Sequence, residues 1–182
     1  MTKSLIVDPS VVRRHDVVAL REIPVNAYEM NWAAEVERLG KDGMRDVLRD
    51  MVTIREFESM LDSLKKTGSW LGLEYNHRGP AHLSMGQEAA AVGQAMALEP
   101  VDFVFGSHRS HGEILAKCLS AIRKTDADQL AATMEGFLDG DTLRYAEKLP
   151  SQGLEEVALN FVLFGTLAEI FARQSGFNRG MG

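Results

Sequence analysis

Cysteine is nearly absent: Cys118 stands alone among 182 residues. A single thiol excludes an intrachain disulfide and any zinc site of the multi-cysteine kind, and it fits a reducing cytosol. Positive charge is in deficit, with 20 Lys and Arg against 26 Asp and Glu and a net charge of −6. Binding to nucleic acid needs a basic face, so nucleic acid is not expected as the main partner. Long hydrophobic runs are missing too. A bilayer span needs roughly 20 apolar residues, and the most apolar segment, residues 157–172, is interrupted by Asn160 and Glu169. The first nine residues place Leu5-Ile6-Val7 between Ser4 and Asp8-Pro9, too short a run for a secretory signal. There is no internal repeat and no low-complexity tract. The expectation is a soluble cytoplasmic protein, with no membrane partner.

What is present is the balance of one globular domain, 45% apolar and 25% charged. Residues 1–27 are expected to form an irregular arm, punctuated by Asp8, Pro9, Pro24 and Asn26. From about Tyr28 the pattern turns helical. Met44, Val47, Leu48, Met51, Ile54, Phe57, Leu61 and Leu64 recur at gaps of three and four, the stripe of an α-helix. The opposite face, with Arg45, Arg49, Asp50, Arg55, Glu58, Asp62 and Lys65, is predicted to be solvated or subunit-facing. Lys65 and Lys66 suit the negative end of the helix dipole before Gly68.

A turn-rich stretch, 74–80, leads into a helix of small residues, Gln87 to Leu98. Its alanines and Gly93 would let another backbone approach closely, and Pro100 closes it. Asp102-Phe103-Val104-Phe105-Gly106 is the one clear strand in the pattern. Helices are predicted over 109–124, 127–138 (capped by Thr125 or Asp126) and 154–174. A doubly wound domain needs several strands, so the segment is either mostly helical in itself or the first part of something larger.

Two motifs carry the chemical signal. His82-Leu83-Ser84-Met85-Gly86-Gln87-Glu88-Ala89 enters the small-residue helix, and the predicted strand delivers Ser107-His108-Arg109-Ser110-His111-Gly112 at its C-terminal end. In open α/β folds ligands bind at that end of the strands, beside helix N-termini. A helix start with an arginine and two histidines suits a phosphate group, because backbone N–H groups and the dipole favour an anion and the guanidinium matches its oxygens.

In these residues the chain resembles the α subunit of the E1 component of 2-oxo acid dehydrogenase complexes, the pyruvate, branched-chain and acetoin enzymes. That family carries a His-Leu-x-x-Gly-Gln-Glu-Ala run, then an acidic residue, a short strand, and Tyr-Arg or His-Arg followed by x-His-Gly. The leading helix around Met51 to Glu58 and the closing Gly180-Met181-Gly182 also look like the family's. The resemblance covers roughly residues 44–118 and the last few. It departs at His108, where many members have tyrosine, and residues 119–176 look longer than in the simplest members, as an inserted helical element would be.

The resemblance implies a thiamine-diphosphate-binding, doubly wound α/β fold, of which residues 28–182 would be the N-terminal part. It implies oxidative decarboxylation of a 2-oxo acid with acyl transfer to a lipoyl group on a partner E2 protein. His108 and Arg109 would bind the cofactor's diphosphate, and His82 and His111 would act near the substrate as histidines suited to proton transfer. Magnesium would accompany the cofactor, held by a Gly-Asp-Gly motif and a later Asn. Asp139-Gly140-Asp141 has the wrong order for it, so no metal ligand is expected among these residues and no decarboxylase activity from the segment alone. The family pairs α with a β half or β subunit in homo- or hetero-oligomers. The other reading is a non-catalytic helical interaction module derived from that family.

Other residues are read as structural. The resemblance places the glutamate that activates the cofactor in the β half, which leaves Glu88 as a helix-start carboxylate. Cys118 reads as a packed thiol and the nine methionines as core filling. His15 and His77 have no partner at a ligand spacing.

Overall fold

The computed structural model describes residues 28–77, 79–80 and 82–181, with positions 8, 10, 13, 15, 22 and 25 before them. Most of the expected N-terminal arm, and Gly182 of the closing motif, lie outside the described residues. The chain divides into two compact units, 1–44 and 45–182. In the first, Asn31 opens helix α1 (Trp32–Thr67): its side chain accepts from the Ala34 N–H at 3.2 Å, so it serves as the N-cap. Gly40 interrupts that helix with φ 64° and ψ 175°, backbone angles that glycine adopts without steric penalty.

Among the described residues, the second unit is built from the rest of α1 and five further helices: α2 (Glu88–Met96), α3 (His111–Lys124), α4 (Ala127–Gly136), α5 (Asp141–Ala146) and α6 (Leu154–Ile170). A 3-10 turn, Phe137–Gly140, joins α4 to α5. Helix α3 packs on α2 and on α6, while α4 and α5 pack on α6. Ile54, Phe57 and Leu61 of α1 meet Ala91, Val92, Leu115, Ala116, Phe161 and Val162 in one apolar core. Asp126 caps α4, accepting from the Gln129 N–H at 2.9 Å.

Beyond α6 the chain folds back on the helix. Phe177 packs with Phe137 and Phe161, ring centroids 5.4 Å away in both cases. Gly165 is what admits that ring, since a side chain there would collide with it. Glu169 Oε2 accepts from the N–H groups of Asn178 at 2.8 Å and Gly180 at 2.9 Å, and Thr142 donates its hydroxyl to the Ser175 carbonyl at 3.0 Å. Helix α6 therefore stops at Ile170, short of the 174 that periodicity suggested.

The described residues are mostly helical, but the strand lies elsewhere than expected. Residues 102–106 take no regular secondary structure. A strand needs a neighbour for its backbone groups, and no described segment pairs with this one. The sheet is instead an antiparallel pair of two-residue strands, β1 (Ser69–Trp70) and β2 (Leu73–Glu74). Leu71 and Gly72 both have positive φ, 46° and 83°, the geometry of a tight hairpin turn.

Two expectations about faces are corrected. Leu48, placed on the apolar stripe of α1, is 61% exposed, whereas Asp50 and Glu58, placed on the solvated face, are buried. Asp50, Ile54 and Glu58 are spaced four apart and share one face. Their carboxylates are tolerated there because other elements supply partners, Asp50 being held in a two-point ion pair by Arg123 of α3. The small-residue helix also has two faces: Ala91, Val92 and Ala95 turn into the chain's own core, while Ala89, Ala90 and Gly93 are exposed. A leucine at Ala91 would therefore crowd this chain's own core.

Candidate functional site

The segment 82–88 and the turn 107–112 meet at the start of α3, and all four residues singled out from the sequence gather there. His82 and His108 set their rings edge to face, centroids 4.9 Å apart at 88°, and both are exposed. Arg109 is exposed as well, with its Nη1 donating to the Leu83 carbonyl at 2.9 Å. Its backbone N–H goes to Ser107 Oγ at 3.1 Å. His111, the first residue of α3, turns inward, and its side chain is only 16% exposed.

Beneath these side chains lies a buried network that links three elements. Glu58 of α1 accepts from the Ser84 N–H at 2.8 Å and lies 3.2 Å from His111 Nδ1. The Ser84 hydroxyl donates to the Arg109 carbonyl and accepts from the Gly112 N–H at 3.2 Å. Gly112 has no room for a side chain without displacing a neighbour, because a Cβ there would come 3.0 Å from Ser84 Cβ. Sequence reasoning missed Glu58 and Ser84. The signal for Glu58 was its place four residues from Ile54 on the buried face; nothing in the sequence marks Ser84.

A second ion pair fixes the entry to α2. Arg55 of α1 donates through Nε and Nη2 to both oxygens of Glu88, at 2.6 and 2.9 Å, and the Gly86 N–H adds a bond to Oε1 at 3.0 Å. The hydrogen bonds from Arg55 hold the Glu88 carboxyl at about 2, well below the ordinary 4.5. A carboxyl lower in the folded state than in the unfolded stabilises fully above its unfolded value and loses that contribution as pH falls through the folded one. Glu88→Gln should therefore lower the thermal midpoint most above about pH 4.5, with the gap to wild type closing toward pH 2. Parallel curves for the two proteins across that range would count against the pair as the cause.

Small spaces complete the site. A cavity of about 60 Å³ beside α2 is lined by Ser84, Gln87, Ala90, Ala91, Gly112 and Glu113, among others. Glu113 Oε2 is buried with no hydrogen-bond partner among the described residues, and it lies where a side chain at Gly106 would point. Among the described residues no group of three or more His, Cys, Asp or Glu could hold a metal ion. The donor set at the turn is nitrogen-rich, a guanidinium and imidazoles at a helix start, and so it suits an anion. Cys118 is away from this chemistry, and burial pushes its thiol pKa up, as expected of an inert packed thiol.

Comparison with known proteins gives the same region a family. Residues 49–148, more than half of the chain, match the family described as dehydrogenase E1 component. The chain is 35% identical over 95 residues to the mitochondrial pyruvate dehydrogenase E1 component subunit alpha of Chaetomium thermophilum, covering 52% of this chain and 21% of that protein. It is 33% identical over 108 residues to the Saccharomyces cerevisiae subunit alpha, covering 57% and 24%. With the subunit alpha of Rhizobium meliloti the identity is 35% over 86 residues, covering 47% and 23%. The chain thus spans under a quarter of the length of these relatives. No solved structure matches it. Glu58, Ser84, Glu88 and the turn 107–112 all fall within the matched residues, and on that match the chain belongs to the dehydrogenase E1 component family.

Proposed function

We propose that this chain contributes the diphosphate-facing portion of the α-type half of a thiamine-diphosphate-dependent 2-oxo acid dehydrogenase. The observation that carries the reading is the turn 107–112, which presents His108 and Arg109 outward at the start of a fourteen-residue helix and is tied from beneath by Glu58 and Ser84. A bound diphosphate would lie against Arg109 and His108, with the α3 dipole favouring its charge. His82, edge-on to His108, and His111 would serve proton transfer on the substrate side.

The chemistry that bound thiamine diphosphate supplies is an electron sink for cleaving the bond between the keto carbon and its carboxylate. This chain's share is to bind the phosphates, orient them and move protons at imidazole nitrogens. The product acyl group would pass to a lipoyl group on E2. Magnesium would be bound by a Gly-Asp-Gly and Asn motif that these 182 residues do not contain.

The doubly wound α/β fold is proposed for the whole protein, with residues 28–182 as its leading part, 119–176 as a helical insertion and 102–106 as a strand position. Exposure alternates along that last segment: Phe103 and Phe105 are exposed and Val104 less so, the period-two pattern of a strand. A β half or β subunit would complete the site in an oligomer, in the cytoplasm.

The test is thiamine-diphosphate-dependent decarboxylation of pyruvate, branched-chain 2-oxo acids and acetoin cleavage, assayed on the protein purified from its source and on the 182-residue polypeptide alone. Turnover by the first and none by the second is expected. Turnover by the isolated polypeptide would overturn the proposal that it is inactive alone. A source protein that neither turns over nor binds thiamine diphosphate with magnesium would point instead to a helical interaction module.

A further inference from the structure

Glu58 lies in the C-terminal third of α1 with none of its side chain exposed, and the proposed chemistry makes no use of it. A carboxylate removed from water is costly unless hydrogen-bonded. Glu58 meets that demand with groups from two other parts of the chain, the Ser84 N–H on Oε2 and His111 Nδ1 on Oε1. Ser84 carries the connection onward, its hydroxyl giving to the Arg109 carbonyl and receiving from the Gly112 N–H. Both branches end on the turn that bears His108 and Arg109.

We propose that Glu58 is a positioning residue for that turn: its buried carboxylate holds His111 as the Nδ1–H tautomer, and through Ser84 it fixes the backbone that carries Arg109. An ionised carboxylate can only accept, so the ring nitrogen facing it must bear the hydrogen. A neutral ring with its hydrogen on Nδ1 keeps its acceptor at Nε2. Which nitrogen of a histidine reacts is set by the bond the other one makes. The backbone next to His111 is closely packed, since a Cβ on Gly112 would come 3.0 Å from Ser84 Cβ and 3.6 Å from Ile54 Cγ2. This inference rests on the anion-binding reading of the turn, yet the tautomer can be measured without any ligand.

The experiment is nitrogen-15 NMR of the complete protein with labelled histidine, the His111 signal being assigned by its loss in His111→Gln. In mildly alkaline buffer the wild type should show His111 with hydrogen on Nδ1, and Glu58→Gln should return it to a mixture of tautomers. The same two proteins are titrated with inorganic pyrophosphate by calorimetry, where Glu58→Gln should weaken binding by roughly tenfold, the scale of one lost charge-assisted contact. A wild-type His111 carrying hydrogen on Nε2 would overturn the proposal, and this arm needs no variant to fold. An unchanged tautomer in a folded Glu58→Gln protein would overturn it as well. If the tautomer shifts as expected and wild type binds no pyrophosphate, positioning by Glu58 stands and the anion-binding reading falls.

Discussion

Arg109→Ala in the complete protein should raise the thiamine diphosphate concentration for half-saturation by about ten- to a hundredfold, the loss of one or two hydrogen bonds to a charged group. The turnover number at saturating cofactor should change much less, because the contact proposed for the guanidinium is with phosphate rather than with the reacting carbon. The side chain is exposed and, among the described residues, its hydrogen bond goes to the Leu83 carbonyl, so the fold should survive its removal. Arg109→Lys should recover only part of the affinity, since an ammonium is a point charge and lacks the planar fork. Equal affinity in all three proteins, measured by cofactor titration of activity and by direct binding, would remove Arg109 from the site.

The second large effect is on stability. Ile54→Ala should cost about 2–5 kcal/mol, the range for deleting a fully buried aliphatic side chain where the surroundings collapse only in part. Ile54 is 0% exposed and stands behind both the core and the Ser84–Gly112 contact. Leu48→Ala, on the same helix, should fall within about 0.5 kcal/mol of wild type, because Leu48 is 61% exposed. Denaturant unfolding of both variants checks the pair. Similar losses would mean that Leu48 is covered in the assembled protein, and that result would itself locate a subunit contact.

Much of the local structure was legible from residue order. The apolar stripe from Ile54 through Leu64, the cap at Asp126 and the helices that begin at Ala127 and Leu154 are consequences of side-chain spacing and short-range hydrogen bonding, whereas the short helix α5 was not read from the sequence. The two motifs that bear the histidines and Arg109 were legible for the same reason, and their resemblance to a family agreed with the match over residues 49–148. The hairpin at Leu71-Gly72 was not, because its turn depends on a leucine with φ 46°, which no propensity favours.

Tertiary structure alone decided where the charges go. Periodicity put Asp50 and Glu58 on the wet side of α1, although they share a face with Ile54. Their burial depends on Arg123, Ser84 and His111, residues 26 to 73 positions away. It likewise decided that Ala91 faces inward while Gly93 faces out, and that residues 102–106, strand-like in composition, stay unpaired among the described residues. A strand's hydrogen bonds and a buried carboxylate's partners both come from distant segments. Residue types near in sequence state what each element can be, and only the packed chain supplies the groups that let a charge or an open backbone be buried.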